Sequence, residues 1–199
     1  MYPFAYFLHP MPSVFWSEYL ERPFEECLDC SCPLSEQDFY LIQKQFVVGE
    51  TVFEMALCGG CRQNLQQQYS AESAAAITTF LTEALKNRTL PEELDVTSEQ
   101  SASQLLQYCL NHCMICGIDR AVCRRYSLAG LFQQSQIIVQ CGSRGQVPLM
   151  ICDRCEQQMS GLISQTTRDN WNRFVEEHFD GPPEMELEQP GDRNTGFLM

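Results

Sequence analysis

The residues of this chain best equipped for chemistry are its cysteines, 12 among 199 positions. Eight of them fall into four pairs of the form Cys-x-x-Cys: Cys27 with Cys30, Cys58 with Cys61, Cys113 with Cys116, and Cys152 with Cys155. A tight turn of that spacing places two sulfurs on one ion, and two such turns surround it tetrahedrally. Thiolates are favoured donors for Zn2+, and four of them close its coordination shell, leaving no position for a substrate. Thiol–disulfide enzymes use a single pair on a βαβ framework, not paired turns flanking a hairpin. Cysteines that are merely buried need no paired spacing. The pattern therefore predicts two structural zinc ions, one bound by Cys27, Cys30, Cys58 and Cys61, the other by Cys113, Cys116, Cys152 and Cys155.

Four cysteines stand outside the scheme. Cys30 and Cys32 could serve in place of Cys27 and Cys30, although the match between the two halves favours Cys27 and Cys30. Cys109, Cys123 and Cys141 read as small buried hydrophobes; a third site using Cys123 and Cys141 would need further ligands. Of the histidines, His178 lies on an apolar helix face and reads as a packing residue, His112 is a spare ligand beside Cys113, and His9 belongs to no motif. No catalytic motif such as GxSxG, HExxH or a phosphate-cradling glycine loop occurs, so the reading is non-enzymatic.

The elements that position the pairs repeat. Cys58-Gly-Gly-Cys61 and Cys152-Asp-Arg-Cys155 lie 94 positions apart, and the same offset continues downstream without a gap. Leu65 faces Met159, Ile77 faces Trp171, Phe80 faces Phe174, Leu81 faces Val175 and Leu85 faces Phe179. The upstream pairs are 86 positions apart, which matches Cys27 to Cys113 and Cys32 to Ile118, favouring Cys27 over Cys32 as the ligand. After each second pair the sequence predicts a short helix, then a longer one capped by Ser70 or Ser164. The longer helices carry apolar residues at i, i+3, i+4, i+7 and i+8. Gly59 and Gly60 allow a close turn in the first copy. Short strands are expected at 39–42, 46–48 and 136–139, with turns near Gly49 and at 142–145.

The expected organisation is an aromatic arm, 1–24; a first zinc module, 25–88; an acidic linker, 89–108; a second module, 109–180; and an acidic tail, 181–199. The arm, with Phe7, Phe15, Trp16, Tyr19 and Phe24 among its rings, is expected to pack across both modules, or else to dock on another protein. Apolar residues make up 44% of the chain and charged residues 20%, the balance of a folded protein. The formal charge is −13, and eight thiolates on two dications would make it four units more negative. Such a surface disfavours nucleic acid. Nothing approaches the roughly 20 apolar residues of a membrane span, and prolines interrupt the N-terminal apolar run. A cytoplasmic location is expected, where paired cysteines bind metal more often than they form disulfides.

Cys113-Met-Ile-Cys116-Gly117, followed by Met150-Ile-Cys152-Asp-Arg-Cys155 and a patterned helix through Met159, Leu162 and Ile163, resembles the treble-clef zinc modules, most closely the amino-terminal zinc-binding domain of the ClpX unfoldase. The resemblance covers about 50 residues of the second half and, more loosely, the first. It implies a structural metal and a domain used for dimerisation and docking of other proteins, although the interval between pairs is longer here. The expected fold is thus small α+β: two tandem treble-clef or zinc-ribbon-like modules, each a β-hairpin with paired knuckles followed by two helices, related by an approximate twofold. The expected function is a protein–protein interaction or regulatory adaptor, with homo-oligomerisation open. A nucleic-acid-binding zinc protein and a redox-responsive zinc switch are the alternatives.

Overall fold

In the computed structural model, residues 6–87, 98–139 and 148–179 are described. Strand β1 (Phe7–Pro10) belongs to the arm. A hairpin of β2 (Tyr40–Val47) and β3 (Glu50–Cys58) leads into helices α1 (Gly59–Gln67) and α2 (Ala71–Asn87). Helix α3 (Glu99–Asn111) follows, then β4 (Arg125–Gln133), β5 (Gln136–Val139) and β6 (Leu149–Cys152), and finally α4 (Asp153–Ser160) and α5 (Gln165–His178).

All six strands form one antiparallel sheet in the order β1-β5-β4-β2-β3, with β6 also pairing β4. The two halves are therefore joined along a shared sheet: β2 of the first pairs with β4 of the second from Tyr40–Phe132 to Val47–Arg125. That register is centred on Gln43–Ala129 and maps onto itself under the 86-residue shift, since Tyr40 pairs Phe132 while Phe46 pairs Tyr126. Strand β2 runs unbroken through Gln43, Lys44 and Gln45, where the polar residues suggested a gap between two shorter strands. Both faces of this central strand are covered, and its buried polar groups survive because several find partners. Lys44 Nζ donates to the Trp16 carbonyl, and Gln45 Nε2 donates to Glu156.

Alternation along β2 and β4 separates two faces. One carries Tyr40, Lys44, Phe46, Tyr126 and Phe132 towards the arm; Phe15 is fully buried there, edge-on to Phe132 at 5.1 Å. The arm thus completes the core through Phe15, with Phe7, Met11, Val14 and Phe24 partly buried beside it, while Tyr6, Trp16 and Tyr19 stay exposed. The opposite face carries Gln45 and Ser127 towards Glu156 of α4.

Helix α3 begins within the stretch expected to be a linker and runs into the expected second module; its N-cap Ser98 forms a reciprocal capping box with Ser101. Its buried residues Ala102, Leu105, Leu106, Cys109 and Leu110 follow helical spacing and pack towards β1, β5 and β6. The acidic residues around it had hidden that stripe. Residues 89–97 of that segment, the tail from 181 and the turn at 142–145 lie outside the described residues.

The second helices of the two halves meet at their N-termini. Ser164 Oγ accepts from the Thr167 N–H and Ser70 Oγ from the Ser73 N–H, so both expected caps are present. Each half also donates to the other: Ser70 N–H to Thr167 Oγ1 at 2.9 Å, and Ser164 N–H to Ser73 Oγ at 2.8 Å. Trp171 and Phe174 are buried on α5; on α2, Ile77 is buried and Phe80, Leu81 and Leu85 partly so. No helix among the described residues is long and apolar enough to cross a membrane.

Candidate metal centres

The first knuckle of each half is a loop closed by its own backbone. Ser31 N–H donates to the Cys27 carbonyl and Cys27 N–H to the Cys32 carbonyl, both at 2.9 Å. In the second half Gly117 N–H donates to the Cys113 carbonyl and Cys113 N–H to the Ile118 carbonyl, at 2.8 and 2.9 Å. The residue after each second cysteine has a positive φ, 57° at Ser31 and 73° at Gly117, the region glycine enters without penalty. One bond anchors each knuckle to the strand that carries its partner pair: Leu28 N–H to the Ala56 carbonyl, and Met114 N–H to the Met150 carbonyl.

The second pair of each half sits where a strand becomes a helix. Cys58 ends β3 and is the N-cap of α1, its sulfur accepting from the Cys61 N–H at 3.4 Å; Cys152 ends β6 and occupies the same place before α4. The strand-end N–H of Cys58 points at Cys27 Sγ (3.3 Å) and that of Cys152 at Cys113 Sγ (3.5 Å). The glycines of the first copy are not needed for backbone freedom, because neither has positive φ. Gly59 instead leaves room for the Phe39 ring, 3.1 Å from where a Cβ would stand, while Gly60 faces open space.

Within each group of four, the sulfurs lie within 4.8 Å of one another. Cys30 and Cys58 sulfurs are 3.8 Å apart and those of Cys116 and Cys152 3.6 Å, too far for disulfides, and all eight cysteines are free. A tetrahedral ion with Zn–S bonds of about 2.3 Å would separate its sulfurs by about 3.8 Å. Both groups share one burial pattern: the second cysteine of the knuckle is exposed and the other three are buried. Two four-cysteine clusters, each able to hold a metal ion such as zinc, are present. Comparison with protein-family models, curated proteins and solved structures finds no match for the chain.

Crowding shifts several of these thiols in opposite directions. In the second cluster the Cys155 thiol donates to Cys113, and with backbone N–H groups it outweighs burial to bring Cys113 down to about 4. Burial pushes Cys152 up to about 12, and its hydrogen bond to Cys113 raises Cys155 further still. In the first cluster the Cys32 N–H brings Cys30 down to about 7, whereas burial raises Cys27 and Cys61. Cys30 and Cys113 thus favour the thiolate, while Cys27, Cys61, Cys152 and Cys155 resist it. A dication at the centre reverses that resistance.

The remaining candidates fall outside the two groups. Cys32 is partly buried beside cluster one; its hydrogen bond to the Cys30 side chain pushes it up to about 12. Cys123 is partly exposed, with its thiol 3.4 Å from the Asp119 carbonyl oxygen, and Cys109 is buried in α3. Cys141 lies outside the described residues. His112 stacks on Tyr108 at 4.3 Å and takes no place in a cluster. His178 packs on Phe174 as expected, and its Nε2 also reaches Asp29 inside the first knuckle at 3.2 Å. Sequence reasoning missed that cross-half contact, because nothing in the spacing relates residues 149 positions apart.

Proposed function

We propose that the chain is a non-catalytic zinc scaffold that works by binding another protein, as an adaptor or regulatory module in the cytoplasm. Cys27, Cys30, Cys58 and Cys61 would hold one structural ion, and Cys113, Cys116, Cys152 and Cys155 the other. The observation that carries the reading is the pair of closed four-sulfur clusters with matching backbone contacts. A shell filled by four thiolates leaves no vacancy for water or substrate, so the metal contributes folding energy rather than catalysis. The self-matching β2–β4 register and the reciprocal bonds between Ser70, Ser73, Ser164 and Thr167 support two treble-clef-like modules related by an approximate twofold.

Elemental analysis of reduced protein purified without added metal tests the scaffold: two zincs per chain are expected, and none would overturn it. The adaptor role is tested by cross-linking the zinc-loaded chain in cell extract. A discrete complex that disappears on chelation is expected; no complex would remove the role.

A redox-responsive switch is the second reading, favoured by Cys32 beside Cys30 and Cys58. Two of these thiols would close a disulfide as a peroxide is reduced to water. Peroxide-driven zinc loss from the first cluster alone would favour it; equal loss from both, or none, would exclude it.

A further inference from the structure

In a chain of net charge −13, Arg120, Arg124 and Arg125 form the one tight basic cluster in the sequence. The fold places Arg120 and Arg124 along an open groove of about 870 Å3, on the arm side of the sheet where the β2–β3 hairpin meets the start of β4. Its apolar lining includes Val14, Val48, Val122, Phe46 and Tyr126, the last two stacked at 4.9 Å between ring centroids. Arg120 lies over the Tyr126 ring at 5.7 Å, and Arg124 is exposed. Neither arginine pairs with a carboxylate among the described residues. The carboxylate of neighbouring Asp119 accepts from the Ala121 N–H at 2.8 Å.

The rim adds a second observation. Val48 and Gly49 form the hairpin turn with φ of 54° and 86°, and Val48 N–H donates to the Arg124 carbonyl at 2.7 Å. Two positive φ values mark a type I′ turn, whose positions favour Asn, Asp and Gly. A β-branched residue there is an outlier that costs stability. Val48 is nevertheless 69% exposed, so its side chain recovers little of that cost by burial, and Val122 across the groove is 71% exposed. A local choice that disfavours the turn and leaves an aliphatic side chain in water is the kind of conflict found at functional sites.

We propose that this groove docks an acidic peptide segment of a protein partner, its carboxylates on Arg120 and Arg124 and its aliphatic side chains between Val48 and Val122 over the Phe46–Tyr126 pair. The proposal rests on the adaptor reading and names the partner's chemistry. Charge complementarity selects the ligand: carboxylates find the two arginines, whereas a long phosphate backbone would meet the acidic remainder of the surface.

The test is fluorescence anisotropy with the full zinc-loaded chain and a short labelled peptide of interleaved glutamate, leucine and serine. Saturable binding is expected at low salt, with none to the same peptide carrying lysine for glutamate. Arg120→Glu with Arg124→Glu should weaken binding about tenfold or more. Val48→Asn should raise thermal stability by relieving the turn, yet weaken binding about threefold. Unchanged affinity in the double reversal would overturn the proposal. So would a rise in affinity on deleting residues 180–199, whose five carboxylates would then be the groove's occupant. If the cross-linked complex persists in the double reversal, the groove assignment fails while the adaptor reading stands. Peptide binding without any complex in extract would do the opposite.

Discussion

Lys44 and Gly130 occupy equivalent places in the β2–β4 pairing, 86 positions apart, and the two halves use that place in opposite ways. In the first half Lys44 is 2% exposed, pairs with Glu54 at 3.0 Å and holds the Trp16 carbonyl of the arm. Glu54 in turn accepts from the Ser17 hydroxyl and the Glu18 N–H. In the second half Gly130 provides space instead: a Cβ there would stand 3.0 Å from the Phe132 ring and 3.1 Å from Ile137. The arm is therefore fastened over one half by an ion pair between a buried lysine and a partly buried glutamate, and by ring packing over the other. The two cysteine clusters, by contrast, share the same backbone contacts. Strong directional constraints preserve a frame, while an arm that crosses it can be secured by any chemistry that fits.

The largest test of that comparison is loss of one cluster at a time. Cys58→Ser and Cys152→Ser should each reduce zinc from two to one per chain by elemental analysis. Apparent binding energies of about 10–16 kcal/mol for structural zinc mean that each variant should unfold its own cluster region. Retention of two zincs in either would break the equivalence of the frames.

Next come the two arm fastenings, which differ in their pH dependence. Glu54→Gln should cost about 2–3 kcal/mol at neutral pH, measured by urea denaturation, because buried Lys44 then keeps only the exposed Glu18 carboxylate, 3.9 Å away. Gly130→Ala should cost about 1–3 kcal/mol through overpacking. Burial pushes the Glu54 carboxyl up, but the Glu18 N–H, Ser17 and Lys44 together hold it below its ordinary 4.5. A lowered carboxylate stabilises the fold above its unfolded-state pKa, and that contribution disappears as pH falls through the folded value. The Glu54→Gln deficit should therefore shrink below about pH 4.5, while the Gly130→Ala deficit stays level. Parallel pH profiles for the two variants would show that the ion pair is not what fastens the arm.

The smallest effects belong to the knuckles. Ser31→Gly should stabilise by about 1 kcal/mol by relieving a positive φ, and Gly117→Ala should destabilise by about 1–2 kcal/mol. Thermal denaturation of the zinc-loaded variants checks both signs; equal signs would mean that the two knuckle turns are not comparable.

Much of the site could be read from spacing. The eight clustered cysteines, the helix starts at Cys58 and Cys152, and the caps at Ser70 and Ser164 all follow from local rules and a constant offset. The strand that joins the halves did not. A central strand covered on both faces loses its alternation, and Lys44 and Gln45 look like part of a loop until Glu54 and Glu156 arrive from elsewhere. Helix α3 was legible but overlooked: Ala102, Leu105, Leu106, Cys109 and Leu110 keep helical period from the acidic stretch that resembled a linker into the residues just before Cys113. The role of Gly59 was out of reach, since the Phe39 ring that needs its space lies 20 positions upstream.

The self-matching register of β2 and β4 has a consequence during synthesis. Strand β2 ends at Val47 and β4 begins at Arg125, 78 positions later. At about 5–20 residues per second, the ribosome takes about 4–16 s to deliver that partner. Until then the β2 edge has no mate within its own chain, and the β2 of a neighbouring nascent chain is a ready substitute. Polysomes, which hold many copies close together, are therefore where this fold is most exposed to exchange of halves between chains.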